Sequence, residues 1–166
     1  MRQLSREIRT VSYLLHPPLL DENGLAGAIE WYIQGLTERS GLKIDLIMAK
    51  DFGRLPDDTE VAVFRILQEC LTNILRHSGS RTATIRLVKG DHEVSLKVQD
   101  EGRGIPADKL TGIQSQRSGV GMTGMRERAR YLKGDMSVQS NSHGTTVYVS
   151  IPLIVASELE KTQRAG

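Results

Sequence analysis

A helical pattern over residues 59–78 constrains the fold of this chain more than any other feature of its sequence. Apolar residues recur on one side of the pattern at spacings of three and four residues: Phe64, Leu67, Leu71 and Ile74. Asp57, followed three residues later by Glu60, predicts a capping-box variant at the start of the helix. A helix with one apolar stripe has to bury that stripe against a second layer of structure.

A sheet is predicted to provide that second layer. Two runs of alternating apolar and polar residues, 82–88 and 93–100, flank a turn-forming segment and indicate an antiparallel hairpin. Further strands are expected over residues 43–49, 136–140 and 145–151.

Three other segments have a helical pattern, and one long segment has no pattern. Helices are predicted over residues 1–16, 24–40 and 122–133, and the second of them has Gly41 as its C′ residue. Residues 103–118 are polar, have no sustained period, and are predicted to form a long loop. The order of these elements implies an α+β fold, a two-layer α/β sandwich whose helices cover one face of a mixed, mainly antiparallel sheet. A chain of 166 residues suits one such domain.

Composition argues against several kinds of function. A net charge of +2, from 22 basic and 20 acidic residues, gives no electrostatic footprint for nucleic acid or an anionic membrane. Two Phe, one Trp and four Tyr are too few for a base-stacking surface. Cys70 is the single cysteine, which excludes an internal disulfide and a cysteine-based metal cage. No apolar stretch approaches the roughly 20 residues of a membrane span, and the start lacks a signal-peptide core, so a cytoplasmic location is expected.

Three polar residues share one face of the helix predicted over residues 59–78. Glu69, Asn73 and His77 are spaced i, i+4 and i+8, so each lies nearly above the last. An ordinary solvated helix face explains such a stripe. A ligand-binding surface is the alternative, and the segments that follow bear on the choice.

Three later segments contain glycines at positions that suit a ligand. Residues 100–104, Asp-Glu-Gly-Arg-Gly, end a strand, where a buried carboxylate can accept from an amino group and glycines allow close approach. Residues 119–124, Gly-Val-Gly-Met-Thr-Gly, open a helix whose free N–H groups favour phosphate. Residues 144–146, Gly-Thr-Thr, begin the last strand. Taken alone, the first segment is equally compatible with a plain turn, and the third is better explained by a plain hairpin turn.

The common nucleotide-binding motifs do not account for these segments. The glycines at 119–124 match G-x-G-x-x-G, but residues 114–118 do not form a strand and no acidic residue ends a strand about 20 positions later. The Gly-Lys-Ser or Gly-Lys-Thr of a P-loop is absent, as are the His-Arg-Asp and Asp-Phe-Gly of protein kinases. Phosphate binding would therefore use another scheme.

Taken together and in this order, the four segments resemble the N, G1, G2 and G3 boxes of the histidine-kinase ATPase family, whose Bergerat fold is shared with DNA gyrase, Hsp90 and MutL. Residues 119–122 running on into Met-Arg-Glu-Arg-Ala at 125–129 resemble the nitrate-sensor-type subclass of sensor histidine kinases. The opening segment, residues 9–21, is similar to that subclass's second dimerisation helix and its exit. The resemblance covers roughly residues 1–152.

The resemblance implies roles for individual residues. Asn73 would ligate Mg²⁺ bridging the ATP phosphates, Glu69 would serve as base or as partner of a metal-bound water, and Asp100 would accept from the adenine amino group. Lys109 and Arg117 could close over the γ-phosphate as parts of an ATP lid. The nucleotide-binding residues implied in this way are Asn73, Arg76, His77, Asp100, Gly102, Gly104, Ile105, Gly119, Val120, Gly121, Met122, Thr145 and Thr146.

The resemblance also implies a function and a division of the chain. Residues 1–18 would end the dimerisation hairpin, 19–153 would form the ATP-binding catalytic domain, and 154–166 would be a tail. The domain would donate the ATP γ-phosphoryl to a histidine of the dimerisation helices, for relay to a response regulator in bacterial two-component signalling. His16, beside two prolines, does not match that acceptor. The chain is therefore expected to bind ATP and ADP with little autophosphorylation. Its predicted cytoplasmic location is compatible with a membrane anchor elsewhere in the whole kinase.

Two other functions are compatible with the same segments. One is a stand-alone ATPase of this fold that turns over ATP, and the other is a nucleotide-binding scaffold without turnover. The intact Asn73 and Asp100 argue against a decayed site.

Overall fold

The computed structural model describes residues 18–114 and 120–153 of the chain. The helix expected over residues 1–16 and the expected tail lie outside the described residues. Arg117 and Gly119, which the resemblance assigns to the phosphates, also lie outside them.

The first described helix, α1 (Pro18–Ser40), is interrupted at Gly24. Gly24 has φ 65° and ψ −175°, a conformation that a residue with a Cβ rarely adopts, and it separates a short first segment from the main helix. The helix predicted over residues 24–40 is confirmed. It ends at Ser40. The next residue, Gly41, has φ 72°, and its N–H donates to the Thr37 carbonyl at 2.9 Å, as in an αL C-cap.

The helix with the clearest sequence pattern is α2 (Asp57–Asn73), and it continues into a π-helical turn over Ile74–Ser78. Its predicted end at residue 78 is confirmed. Single π turns interrupt α-helices mostly at functional sites, because they change the direction of the side chains that follow. His77 lies in this turn, so the predicted α-helical spacing holds for Glu69 and Asn73 only.

The capping box predicted at Asp57 is wrong. The helix begins after Pro56 without a side-chain cap, and the Asp57 side chain is 94% exposed. Glu60 is instead 1% exposed and accepts hydrogen bonds from Arg54 Nε at 3.0 Å, from Arg54 Nη2 at 3.1 Å and from the Leu55 N–H at 3.0 Å. Pro56 has no N–H to donate, so the Glu60 carboxylate reaches one residue further back.

In the part of the chain that the structure describes, five strands form one sheet with the order β1-β2-β3-β5-β4. The strands are β1 (Lys43–Met48), β2 (Thr82–Lys89), β3 (Glu93–Asp100), β4 (Asp135–Asn141) and β5 (Gly144–Pro152). β1 runs parallel to β2, and the other three pairs are antiparallel. All five predicted strands and the mixed, mainly antiparallel sheet are confirmed.

Two helices lie between β3 and β4: α3 (Ala107–Gln114) and α4 (Val120–Tyr131). α4 confirms the helix predicted over residues 122–133. The prediction of a loop over residues 103–118 is wrong for α3. That helix has only eight residues, and of its described side chains only Ile113 is buried, so it is too short and too polar for its period to appear in the sequence.

The hydrophobic core lies between one face of the sheet and the helices. Buried residues alternate with more exposed ones along β2, β3, β4 and β5, and Ile85 and Leu87 on β2 are 0% and 1% exposed. Lys97 and Tyr148, which are paired on neighbouring strands, lie on the opposite, exposed face. The α+β sandwich with helices on one face is therefore confirmed. In the described part of the chain, no helix combines the length and apolar character needed to cross a membrane.

Candidate functional site

A cleft of about 1310 Å³ lies at the end of the sheet where β3 ends and β5 begins. α2 and its π turn form one wall, the segment with α3 forms another, and the β4–β5 hairpin closes one end. Most of the residues predicted from the sequence line it: Glu69, Asn73, Arg76, His77, Asp100, Gly104, Ile105, Gly121, Met122 and Thr145. A smaller hollow of about 450 Å³ lies at the opposite end of β1 and β2 and includes none of these residues.

Asn73 and Glu69 face the cleft from α2. The Asn73 side-chain nitrogen is buried and has no hydrogen-bond partner among the described residues. An unpaired buried amide is costly unless a ligand satisfies it, and a 180° turn of the amide would present its oxygen at the same place. The Glu69 carboxylate occupies the space that a Cβ on Gly121 would take. The N-terminal part of α4 therefore packs directly on the acidic side chain.

Asp100 is a buried carboxylate at the end of β3. It is 5% exposed, and its Oδ1 accepts a hydrogen bond from the Gly102 N–H at 2.8 Å. Within residues 18–114 and 120–153, no protein group bonds the other carboxylate oxygen. A buried acceptor with a free oxygen in a cleft suits a ligand that carries an N–H donor.

The glycines of residues 100–104 bring parts of the protein backbone together. Gly104 has φ 72°, and a Cβ there would overlap the Asn141 carbonyl of the β4–β5 hairpin. A Cβ on Gly102 would meet the Ser78 Cβ at 2.7 Å and the Asp100 Oδ1 at 2.8 Å. The sequence interpretation assigned these glycines to close approach of a ligand, whereas their immediate neighbours are the hairpin and the π turn.

Two predicted residues do not line the cleft. Thr146 pairs with Gln99 and shares its face of β5 with exposed Tyr148, so its side chain points away from the cleft. Of the two threonines, Thr145 lines the cleft. Gly102 lies behind Asp100 and contributes its N–H to that carboxylate. The side chain of Val120 lies outside the described residues.

Among the cleft-lining residues that the sequence interpretation did not select, Arg103 and Ser140 connect the walls of the cleft by hydrogen bonds. Arg103 donates from its backbone N–H to the Ser78 carbonyl at 2.9 Å and from Nε to the His77 carbonyl at 2.8 Å, so it joins the π turn to the end of β3. Ser140 accepts from the Ile105 N–H at 2.8 Å. Arg103 lies within the glycine motif at residues 100–104, so the motif could have identified it as a residue of the cleft. Nothing in the sequence distinguishes Ser140 from other serines.

The cleft contains a thiol that is not suited to nucleophilic chemistry. Cys70 is buried, and its Sγ contacts the Met125 sulfur at 3.6 Å. Burial, with a smaller contribution from the charge of Glu69, raises the pKa of the Cys70 thiol to about 12. The thiolate is the reactive form of cysteine, so Cys70 acts as a core residue at neutral pH.

The donor groups in the cleft suit a hard cation only in combination with a ligand. Among the described residues, no group of three or more His, Cys, Asp or Glu side chains could hold a metal ion. Asn73 and Glu69 offer oxygen donors, the type that Mg²⁺ prefers, but they leave most of its six positions open. Phosphate oxygens and water would have to fill the rest.

Comparison with known proteins identifies the family of the chain. Residues 58–155 match the family described as histidine kinase-, DNA gyrase B-, and HSP90-like ATPase. The chain is 30% identical over 147 residues to the sensor histidine kinase MctS of Rhizobium johnstonii, covering 89% of this chain and 32% of that protein. It is 34% identical over 146 residues to the signal transduction histidine-protein kinase/phosphatase UhpB of Salmonella typhimurium, covering 87% and 28%. It is 31% identical over 153 residues to the sensor histidine kinase NarS of Mycobacterium tuberculosis, covering 92% and 35%.

Solved structures support the fold. The histidine kinase domain of the blue-light activated histidine kinase EL346 from Erythrobacter litoralis matches with a TM-score of 0.67 at 23% identity, over 78% of this chain and 65% of that one. At this identity the match concerns the fold alone. The chain spans about a third of the length of the curated relatives it matches.

Proposed function

Because this chain belongs to the family of histidine kinase-, DNA gyrase B- and HSP90-like ATPases, we propose that the cleft binds ATP with its adenine against Asp100. The observation that carries the proposal is the buried Asp100 carboxylate, which keeps one oxygen free in the cleft. Adenine carries an exocyclic amino group, and guanine has a carbonyl oxygen at that position. A carboxylate acceptor therefore favours adenine, because the guanine oxygen would leave it unpaired.

The phosphates would lie towards α2 and the N-terminal part of α4. Free backbone N–H groups at a helix N-terminus favour phosphate, and Gly121 and Met122 line the cleft there. Arg76 and His77 of the π turn and Lys109 of α3 also line the cleft and are exposed. We assign them to the phosphate oxygens.

Asn73 would hold Mg²⁺ through its side-chain oxygen, and Glu69 would do so through a water. When bound, the ion would neutralise charge on the phosphates and orient the γ-phosphoryl group. The unpaired buried amide of Asn73 supports this assignment, because the protein itself provides no partner for it among the described residues. Glu69 would orient the metal-bound water or remove a proton from the acceptor.

Asn73→Ala tests the magnesium assignment. It is expected to weaken ATP binding by roughly 10-fold or more in the presence of Mg²⁺, because it removes the metal ligand, and to change binding much less when Mg²⁺ is chelated. Titration calorimetry with and without Mg²⁺ measures both affinities. Gln68→Ala on the neighbouring turn is the matched control. An equal loss with and without Mg²⁺ would contradict the assignment.

We further propose that the chain is the catalytic part of a sensor histidine kinase. The match to three histidine kinases over nearly the whole chain supports this, and the match to NarS agrees with the nitrate-sensor-type subclass. In this proposal residues 19–153 form the ATP-binding domain, residues 1–18 end the dimerisation helices and residues 154–166 are a tail. The phosphoryl acceptor would be a histidine of the dimerisation helices, and a response regulator would receive the group from it.

Labelling with γ-labelled ATP separates this proposal from its rivals. The chain alone is expected to bind ATP while gaining little acid-labile label, because none of its four histidines matches the family's acceptor. Adding a protein that carries the dimerisation helices is expected to restore labelling on the added part. Strong acid-labile labelling of this chain alone would contradict the proposal. Steady release of phosphate without labelling would favour a stand-alone ATPase.

A further inference from the structure

The Ser140 hydroxyl connects three parts of the cleft. It accepts a hydrogen bond from the Ile105 N–H at 2.8 Å, which fixes the start of the segment leading to α3. It donates to the Gly144 carbonyl at 3.1 Å, and its oxygen lies 2.9 Å from the Thr145 hydroxyl oxygen. Ser140 itself is partly buried on β4 and lines the cleft.

Hydrogen-bonding capacity decides the direction of the bond between the two hydroxyls. A serine hydroxyl has one proton to donate and two lone pairs to accept with. The Gly144 carbonyl can only accept, and the Ile105 N–H can only donate. All three contacts are satisfied together only when Ser140 donates to Gly144 and accepts from both Ile105 and Thr145. In that arrangement the Thr145 proton is held by Ser140, and the Thr145 oxygen presents lone pairs to the cleft.

Thr145 lies beside Asp100 in the sheet. Gln99 pairs with Thr146, so the next positions along the same two antiparallel strands are Asp100 and Thr145. Both side chains line the cleft, and residues directly opposite on one face of a sheet have Cβ atoms about 5 Å apart. The proton arrangement at Ser140 therefore gives this end of the cleft two neighbouring acceptors.

We infer that Ser140 is a positioning residue for base selection, which holds the Thr145 proton away from the ligand so that Asp100 and Thr145 both accept from a purine amino group. The inference rests on the proposed binding of ATP in this cleft. An exocyclic amino group has two hydrogens and can satisfy two acceptors. A carbonyl oxygen at the same position of the base would face two acceptors and no donor.

Ser140→Ala tests the inference through the ratio of the dissociation constants of inosine triphosphate and ATP. Inosine triphosphate carries a carbonyl in place of the adenine amino group. Without Ser140, the Thr145 hydroxyl can rotate and donate to that carbonyl, so the ratio is expected to fall roughly threefold to tenfold, the factor of one neutral hydrogen bond. Ser140→Thr, which keeps a hydroxyl, is expected to restore the ratio. Ser137→Ala, on the exposed face of the same strand, is the matched control and is expected to leave it unchanged.

The possible outcomes separate a selective role from a structural one. Equal weakening of both nucleotides by Ser140→Ala, with the ratio preserved, would mean that Ser140 only supports the fold of the cleft, and would overturn the inference. If Ser140→Ala does not fold, Thr145→Val carries the test, because it removes the second acceptor and is expected to lower the same ratio. An unchanged ratio in that variant would overturn the inference as well. Absence of ATP binding by the unmodified chain is a different result, and it would refute the proposed function itself.

Discussion

Asp100→Asn is expected to weaken ATP binding by roughly 10- to 100-fold, which corresponds to the about 1.5–3 kcal/mol of a hydrogen bond to a charged group. The carboxylate is buried and has one oxygen free in the cleft. An amide has the same shape, but it replaces one acceptor oxygen by a donor NH₂ group. That donor would face the adenine amino group, so two donors would meet in a buried site. Titration calorimetry with ATP measures the loss.

The fold is expected to survive this change, because an asparagine oxygen can still accept from the Gly102 N–H. The urea midpoint of Asp100→Asn should therefore stay close to that of the unmodified chain. Asp91→Asn, in the exposed turn between β2 and β3, is the matched control, since it removes an equal charge far from the cleft. If Asp100→Asn binds ATP as tightly as Asp91→Asn does, Asp100 is not the adenine contact.

Gly104→Ala is expected to destabilise the protein by roughly 2–5 kcal/mol, through both backbone strain and overlap. Gly104 has φ 72°, in the left-handed region, and the new methyl group would overlap the Asn141 carbonyl. Because the overlapped atoms belong to the backbone of the β4–β5 hairpin, they cannot move aside as a flexible side chain would. The hairpin carries Ser140 and Thr145, so ATP binding should weaken in the fraction of protein that stays folded. Urea unfolding measures the stability.

Gly41→Ala is the matched control for this substitution. Gly41 has the same φ of 72°, but apart from its chain neighbours no atom of residues 18–114 and 120–153 lies within 4 Å of the position that its Cβ would take. Only the left-handed strain applies there, and the expected cost is about 1 kcal/mol. The difference between the two variants isolates the overlap at Gly104. Equal costs would mean that the loop after β3 is not packed on the hairpin as described.

Much of the fold follows from periodicity, and the exceptions have physical causes. The five strands and the two long helices α1 and α2 follow from regular apolar spacing, because each buries one face in the same core. α3 was missed because an eight-residue helix with one buried described side chain leaves too weak a pattern. The predicted capping box is absent because the Glu60 carboxylate accepts two hydrogen bonds from the charged Arg54 guanidinium. A backbone N–H at the start of the helix would offer it only one neutral donor.

The candidate site followed from the order of four short motifs, which the cleft brings together. Asp100 and Asn73 can be identified from the sequence, because a carboxylate suits an amino group, an amide oxygen suits Mg²⁺, and both residues lie in recognisable motifs. The choice between Thr145 and Thr146 depends on the face of β5, which only the strand register decides. Ser140 acts through one side-chain oxygen that bonds groups 35 and four residues away, and no local pattern predicts such contacts.

Binding of ATP and inosine triphosphate to the unmodified chain, compared by calorimetry in Mg²⁺, tests the central claim most directly. The two nucleotides have the same sugar and phosphates. Inosine has a carbonyl where the adenine amino group would meet Asp100, and its neighbouring N1 carries a hydrogen. We predict that ATP binds and that inosine triphosphate binds roughly 10- to 100-fold more weakly, because its carbonyl leaves the buried carboxylate without a donor. Equal affinity for the two nucleotides, or no binding of ATP, would contradict an adenine site at Asp100.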